Sequence, residues 1–145
     1  MFLFLSGKQQ MSANKPHCRL VKPQPVFIGK QGLSYQVGVS KEAVDSQHIH
    51  MQLATIPPRS QAKAHKHEHH ETAIYALSGT SSVLYGDALE HFLELPAGSF
   101  LYIPMDTPHL PYNNTDEPAV VIISRTDPNE QESVVMMPEL DRDVL

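Results

Sequence analysis

One cysteine, Cys18, is all the thiol this chain of 145 residues carries, so no intrachain disulfide braces it and nothing in it asks for an oxidising compartment. Basic charge is scarce as well. Eleven Lys and Arg stand against sixteen Asp and Glu, a net charge of −5 with no basic stripe to follow a phosphate backbone, and nucleic acid is therefore not an expected partner. Long apolar runs are missing: the opening Met-Phe-Leu-Phe-Leu lacks a basic start and ends at Leu5, too short to export or to span a bilayer. No membrane partner is expected, and the cytoplasm is the default. Neither a GxGxxG turn nor a P-loop is present to cradle a phosphate. No repeat and no low-complexity linker divides the chain, which reads as one domain.

What is there points to strands. Hydrophobic residues make up 41% and charged residues 19%, a globular composition, while twelve prolines are many for a helical protein of this length. Short apolar or alternating runs, separated by Gly, Pro, Asn and Asp, cover Tyr35–Val39, His48–Ile56, Thr72–Leu77, Ser81–Tyr85, Glu90–Leu95, Phe100–Ile103 and Ala119–Ser124. In the second run Ile49, Met51, Leu53 and Thr55 alternate with His48, His50, Gln52 and Ala54, which predicts a half-buried strand with its apolar face inward. Gly79 marks a hairpin and Gly86-Asp87 closes the next strand. One short helical turn is expected over Asn129–Val135, started by Asp127-Pro128. Serial strands without a long helix predict an all-β barrel or sandwich. Residues 1–17 read as a disordered leader, with Met11 an alternative start; 18–138 read as the domain and 139–145 as a charged tail.

Four of the nine histidines fall in His65–His70. A solvated polar loop is one reading of such a run. Spacing supports another: on an extended segment His65 and His67 point the same way and form a bidentate clip, and Glu71 adds a hard, anionic third ligand. His69 and His70 are either partners behind the ligands or solvated. A second segment, Gly98 to Asn113, runs as a strand, a proline-rich turn and His109, placed to return to the same point.

These two segments resemble the motifs of the cupin superfamily, Gly-x5-His-x-His-x(3 or 4)-Glu-x6-Gly and Gly-x5-Pro-x-Gly-x2-His-x3-Asn. His65, His67 and Glu71 match the first, with Ser60 near its opening glycine and Gly79 one residue late; Gly98, Pro104, His109 and Asn113 match the second, with Asp106 in place of glycine. The late Gly79 predicts a bulge or a longer hairpin. The resemblance covers roughly Leu33 to Thr126 and implies a double-stranded β-helix, jelly-roll-like barrel whose metal is held by His65, His67, Glu71 and His109 near one mouth. It also implies a homodimer, with outer strands from residues 18–32 and Val134–Met137.

Such a ligand set leaves one divalent transition metal (Fe, Mn, Ni, Zn or Cu) with open positions and net positive charge, a Lewis acid for a small organic molecule. Inward alternation from Glu71 predicts Ala73, Tyr75 and Leu77 along the cavity, with Tyr75 and Met51 contacting the substrate. Three functions are compatible with this. The first is a metalloenzyme for oxygenation, isomerisation or lysis; the second a non-catalytic cupin that binds a small ligand or metal; the third a metal-free epimerase-like barrel using His67 with Tyr75.

Overall fold

The computed structural model describes residues 15–131 and 133–145, so the expected leader lies almost wholly outside the described residues. Among the described residues fourteen short elements follow one another: β1 (Phe27–Ile28), β2 (Ser34–Val39), α1 (Lys41–Val44), β3 (His50–Ile56), β4 (Ser60–Gln61), β5 (His65–His67), β6 (Thr72–Ser78), β7 (Thr80–Tyr85), β8 (His91–Pro96), β9 (Phe100–Ile103), β10 (His109–Asn113), β11 (Ala119–Arg125), β12 (Val134–Met136) and a 3-10 turn, Pro138–Leu140. They form two antiparallel sheets. One is ordered β1-β2-β3-β11-β6-β9 and the other β12-β5-β10-β7-β8, with β4 also paired to β10. This is a two-sheet, jelly-roll-like β-barrel architecture.

Turn chemistry explains why the chain reverses where it does. Gly79, at φ 69°, joins β6 to β7, and a Cβ there would lie 2.3 Å from the Pro118 carbonyl oxygen, so no other residue fits the hairpin. Asn113 closes the turn into β11: its Nδ2 donates to the carbonyls of Ile56 and Glu117, while its Oδ1 accepts from the Thr115 amide. The last residue of the second motif is thus structural. Left-handed backbone also falls on Arg59 (φ 50°) and Asp106 (φ 60°). Arg59 has five residues between it and His65, so the first motif's glycine position is Arg59 rather than Ser60.

Two hydrophobic clusters hold the sheets together. The larger packs Leu33, Tyr35, Ile56, Leu95 and Val121 between the sheets; the smaller sets Ala64, Leu89 and Leu110 against Met137, Leu140 and Val144. The expected charged tail, residues 139–145, is therefore part of the fold. Its Asp141 carboxylate accepts from the Ala64 amide at 2.7 Å, and its Val144 amide donates to Gln61 at 3.0 Å.

Three further expectations are corrected. The expected helical turn over Asn129–Val135 ends instead in β12, and the helical turn forms at α1, where Ser40 caps the Ala43 amide and donates to Glu130. The expected outer strands do form, β1 and β12 pairing with β2 and β5 of the same chain. In β3 the buried positions are His50, Gln52, Ala54 and Ile56, and Met51 and Leu53 lie on the outer face. In β6 they are Thr72 and Ala76, with Ile74 packed on the core, and Ala73, Tyr75 and Leu77 face outward. Both inversions have one cause: the interior at this end is a cavity lined partly by polar side chains, so hydrophobicity does not mark the inward parity. β6 does carry a bulge, at Leu77, where Val120 pairs with Ser78 and Val121 with Ala76.

Candidate metal centre

His65 and His67 stand on β5, which is clamped between β12 and β10, so alternation sends both imidazoles inward. His109 opens β10 directly opposite His65. The three rings meet with centroids 5.1 Å apart for His65 and His67, 4.3 Å for His65 and His109, and 5.4 Å for His67 and His109. One nitrogen from each lies within 4.8 Å of the others, and all three residues are buried.

The hydrogen bonds fix which nitrogen faces the centre. The Nδ1 of His65 is 2.7 Å from the Lys63 carbonyl oxygen and the Nδ1 of His109 is 2.9 Å from that of Thr107. A carbonyl only accepts, so Nδ1 carries the proton and Nε2 is left as a lone-pair donor. Burial, reinforced by His109, holds His65 down to about 3, with the Lys63 carbonyl opposing. Burial and then His65, His109, His70 and Arg125 hold His67 far below the ordinary imidazole range. Neutral, buried and convergent imidazoles are the form that binds a divalent transition metal, so the residues present fit such an ion.

Glu71 is not among them. It is exposed, at the chain position before β6, and its carboxylate accepts from the Tyr102 hydroxyl at 2.6 Å on the outer surface. Thr72, one residue on, is buried and lines the cavity. Counted as His67-x4-Thr72-x6-Gly79, the first motif fits with its longer spacing, and threonine takes the place of glutamate. Four residues rather than three after His67 reverse the parity and send Glu71 outward.

The cavity is small, about 60 Å³. Its polar wall is made by the three histidines with Gln31, Gln52, Thr72, Ser81 and Arg125, its apolar wall by Leu33, Ile74, Leu101, Ile103 and Ile123 among others. Tyr75 and Met51 do not line it. Tyr75 packs on Phe100 of the outer face with ring centroids 4.8 Å apart, so no acid–base pair of His67 with Tyr75 forms. His69 is exposed beside Glu68. His70 is buried, its ring 4.6 Å from His67 and its Nδ1 3.8 Å from an Asp127 carboxylate oxygen. The solvated reading fails for His70 and holds for His69.

Residues that sequence reasoning missed are Gln31, Gln52, Thr72, Ser81 and Arg125. Gln52 carried a signal, since it shares one parity of a strand with His50 and two polar residues on one parity mark a polar surface; Gln52 lines the cavity, and the His50 Nε2 lies 2.9 Å from its side-chain amide oxygen Oε1. Arg125 ends β11 with no such pattern around it.

The sequence profile of the cupin domain matches residues 52–124. No curated protein matches the chain. Among solved structures, Bacillus subtilis oxalate decarboxylase at pH 4.6 superposes with a TM-score of 0.66 at 22% identity, over 79% of this chain and 30% of that one. A study of the Mn(II) centres of the same enzyme gives 0.64 and 21%, over 76% and 29%. The formate complex of Lactobacillus farciminis oxalate decarboxylase gives 0.64 and 20%, over 81% and 33%. The chain spans about a third of the length of these enzymes, and at such identities the likeness is one of fold.

Proposed function

The chain belongs to the cupin domain family, and on that premise we propose that it is a mononuclear metalloenzyme acting on a small organic molecule by oxygenation, isomerisation or lysis. The observation that carries this reading is the set of three buried imidazoles converging within 4.8 Å. His65, His67 and His109 would hold the ion, which is iron, manganese, nickel, zinc or copper; the Mn(II) centres of the oxalate decarboxylase above favour manganese among these. When bound, such an ion supplies a Lewis acid with open positions. The chain's own residues do the rest. The carbonyls of Lys63 and Thr107 fix two ring tautomers, His70 backs His67, and the apolar wall keeps bulk water from the bound molecule. Untagged protein should copurify with about one equivalent of metal and turn over a member of a panel of small acids, diols and enols under oxygen. Metal without turnover would favour a ligand-binding cupin, and no metal would refute the reading.

The working unit is a homodimer. Across the outer face of the β1-containing sheet, Leu53, Ile122, Tyr75 and Phe100 stand in direct register on four strands, with Met51, Leu77 and Tyr102 beside them. Phe100 is 81% exposed and Tyr102 60%. A flat, uncharged stripe of this kind is suited to sheet-on-sheet packing against its own copy about a two-fold axis. The exposed thiol of Cys18 suits a reducing cytoplasm.

A further inference from the structure

The barrel wall has a seam. β8 ends one sheet and β9 ends the other, although the two strands follow one another in the chain. At this seam lies a cleft of about 180 Å³, against about 60 Å³ for the metal cavity. Val83, Leu101, Ile103 and His109 line both, so these four side chains are the boundary between the two. The outer part of the cleft is made by Tyr85, Leu93, Tyr102 and Thr107. Leu93 and Leu95 share the inner side of β8, yet Leu95 is 5% exposed in the core and Leu93 is 42% exposed. A leucine that faces inward and is left uncovered marks a surface that apolar matter would cover.

We propose that this cleft is a second binding site, separate from the metal centre, for a single uncharged aromatic ring. Volume sets the size, since an apolar cavity of about 150 Å³ takes one benzene ring. The walls set the polarity: a charge brought against Val83, Leu93, Leu101 and Ile103 would lose its hydration for nothing in return. Tyr85 on β7 and Tyr102 on β9 come from the two sheets that meet here, and their rings favour a partner with a π face over a saturated one. Thr107 supplies a hydroxyl for one polar substituent. Its carbonyl lies 2.9 Å from the Nδ1 of His109, which puts this part of the cleft away from Nε2 and makes the site independent of the metal-centre reading. A phenol has the required size, polarity and single polar group.

The test titrates phenol into untagged protein, as purified and after chelation. By calorimetry it should saturate in both with a Kd of about 1 mM, the affinity open to so small a ligand. In chelated protein labelled at the Ile, Leu and Val methyls, the phenol ring protons should give nuclear Overhauser effects to Leu93, Leu101 and Ile103. There cyclohexanol, as wide but without a π face, should bind at least about threefold more weakly, and benzoate at least about tenfold. Leu93→Arg, at a half-exposed position that can hold a long charged side chain, should lose saturable binding. Phe92→Arg, one residue away on the opposite side of β8, should keep it within about twofold. The proposal is overturned if phenol does not saturate by about 10 mM, if its contacts fall on Leu53 or Leu77 of the outer face, if cyclohexanol or benzoate binds as tightly as phenol, or if Leu93→Arg binds like the parent. The contact pattern decides the matter on the parent protein alone, should Leu93→Arg not fold. Metal content bears on the metal-centre reading and not on this site, so the two failures are distinguishable.

Discussion

His109 and Leu110 are neighbours on β10 that serve different masters, and replacing each by alanine separates the site from the core. Leu110 is fully buried and sits with Ala64 and Leu89 under Leu84, Tyr112, Met137 and Leu140. Leu110→Ala removes three methylene-sized groups, about 2.4 kcal/mol at about 0.8 kcal/mol each. Its surroundings come from the segment before β5, from β7 and the turn after it, from β10 and from the C-terminal segment, which cannot all close on the void, so a cavity contribution brings the loss to about 3–5 kcal/mol. For a domain of this size that is a fall of roughly 10 °C in melting temperature. Metal content should stay at that of the parent, because Leu110 faces away from the three rings. His109→Ala should do the reverse, lowering metal affinity sharply while costing the metal-free fold far less. Thermal melts of metal-free protein and metal analysis of loaded protein measure both. A Leu110→Ala loss under about 1 kcal/mol, or a His109→Ala variant with full occupancy at equal affinity, would refute the assignment of these two side chains.

Glu71→Ala should leave metal affinity unchanged within about twofold, since its carboxylate lies on the outer surface with Tyr102; a tenfold loss by competitive titration would restore it as a ligand. Metal-free protein should lose stability on acidification. His65 takes up its proton near 6.5 when unfolded and near 3 when folded, so its contribution is complete above about pH 6.5 and is lost as pH falls toward 3, by up to about 5 kcal/mol, with His67 acting in the same direction. Urea midpoints that stay flat from pH 7 to pH 4 would contradict this. Phe100→Glu should convert a dimer to a monomer by light scattering with metal content intact, and an unchanged mass would remove the outer face from the interface. Chelation should lower the melting temperature without unfolding the protein, because binding adds stability by mass action to a barrel that has its own core; loss of the far-ultraviolet β signal on chelation would be the contrary result.

The strands were legible because each is a short apolar or alternating run bounded by turn residues, and all seven expected runs coincide with strands to within two residues at their ends. The three-histidine cluster was legible from parity on β5 and from the motif ending in Asn113. Parity on β3 and β6 was not. There the polar Gln52 and Thr72 face a cavity, with the buried His50 on the same side of its strand, and the apolar Met51, Leu53 and Leu77 face outward, so the rule that apolar means inward selected the wrong side. Glu71 failed for the same reason, through a single extra residue between His67 and the strand. The C-terminal residues escaped notice because Leu140 and Val144 are isolated among charged neighbours, and only the fold brings them to Leu110.

X-ray absorption at the edge of the metal that copurifies with the untagged protein tests the centre most directly. The expected result is about one equivalent of a divalent transition metal with three imidazole nitrogens at ~2.0–2.2 Å. Protein free of bound metal, or a first coordination sphere with fewer than three imidazoles, would contradict a centre built on His65, His67 and His109.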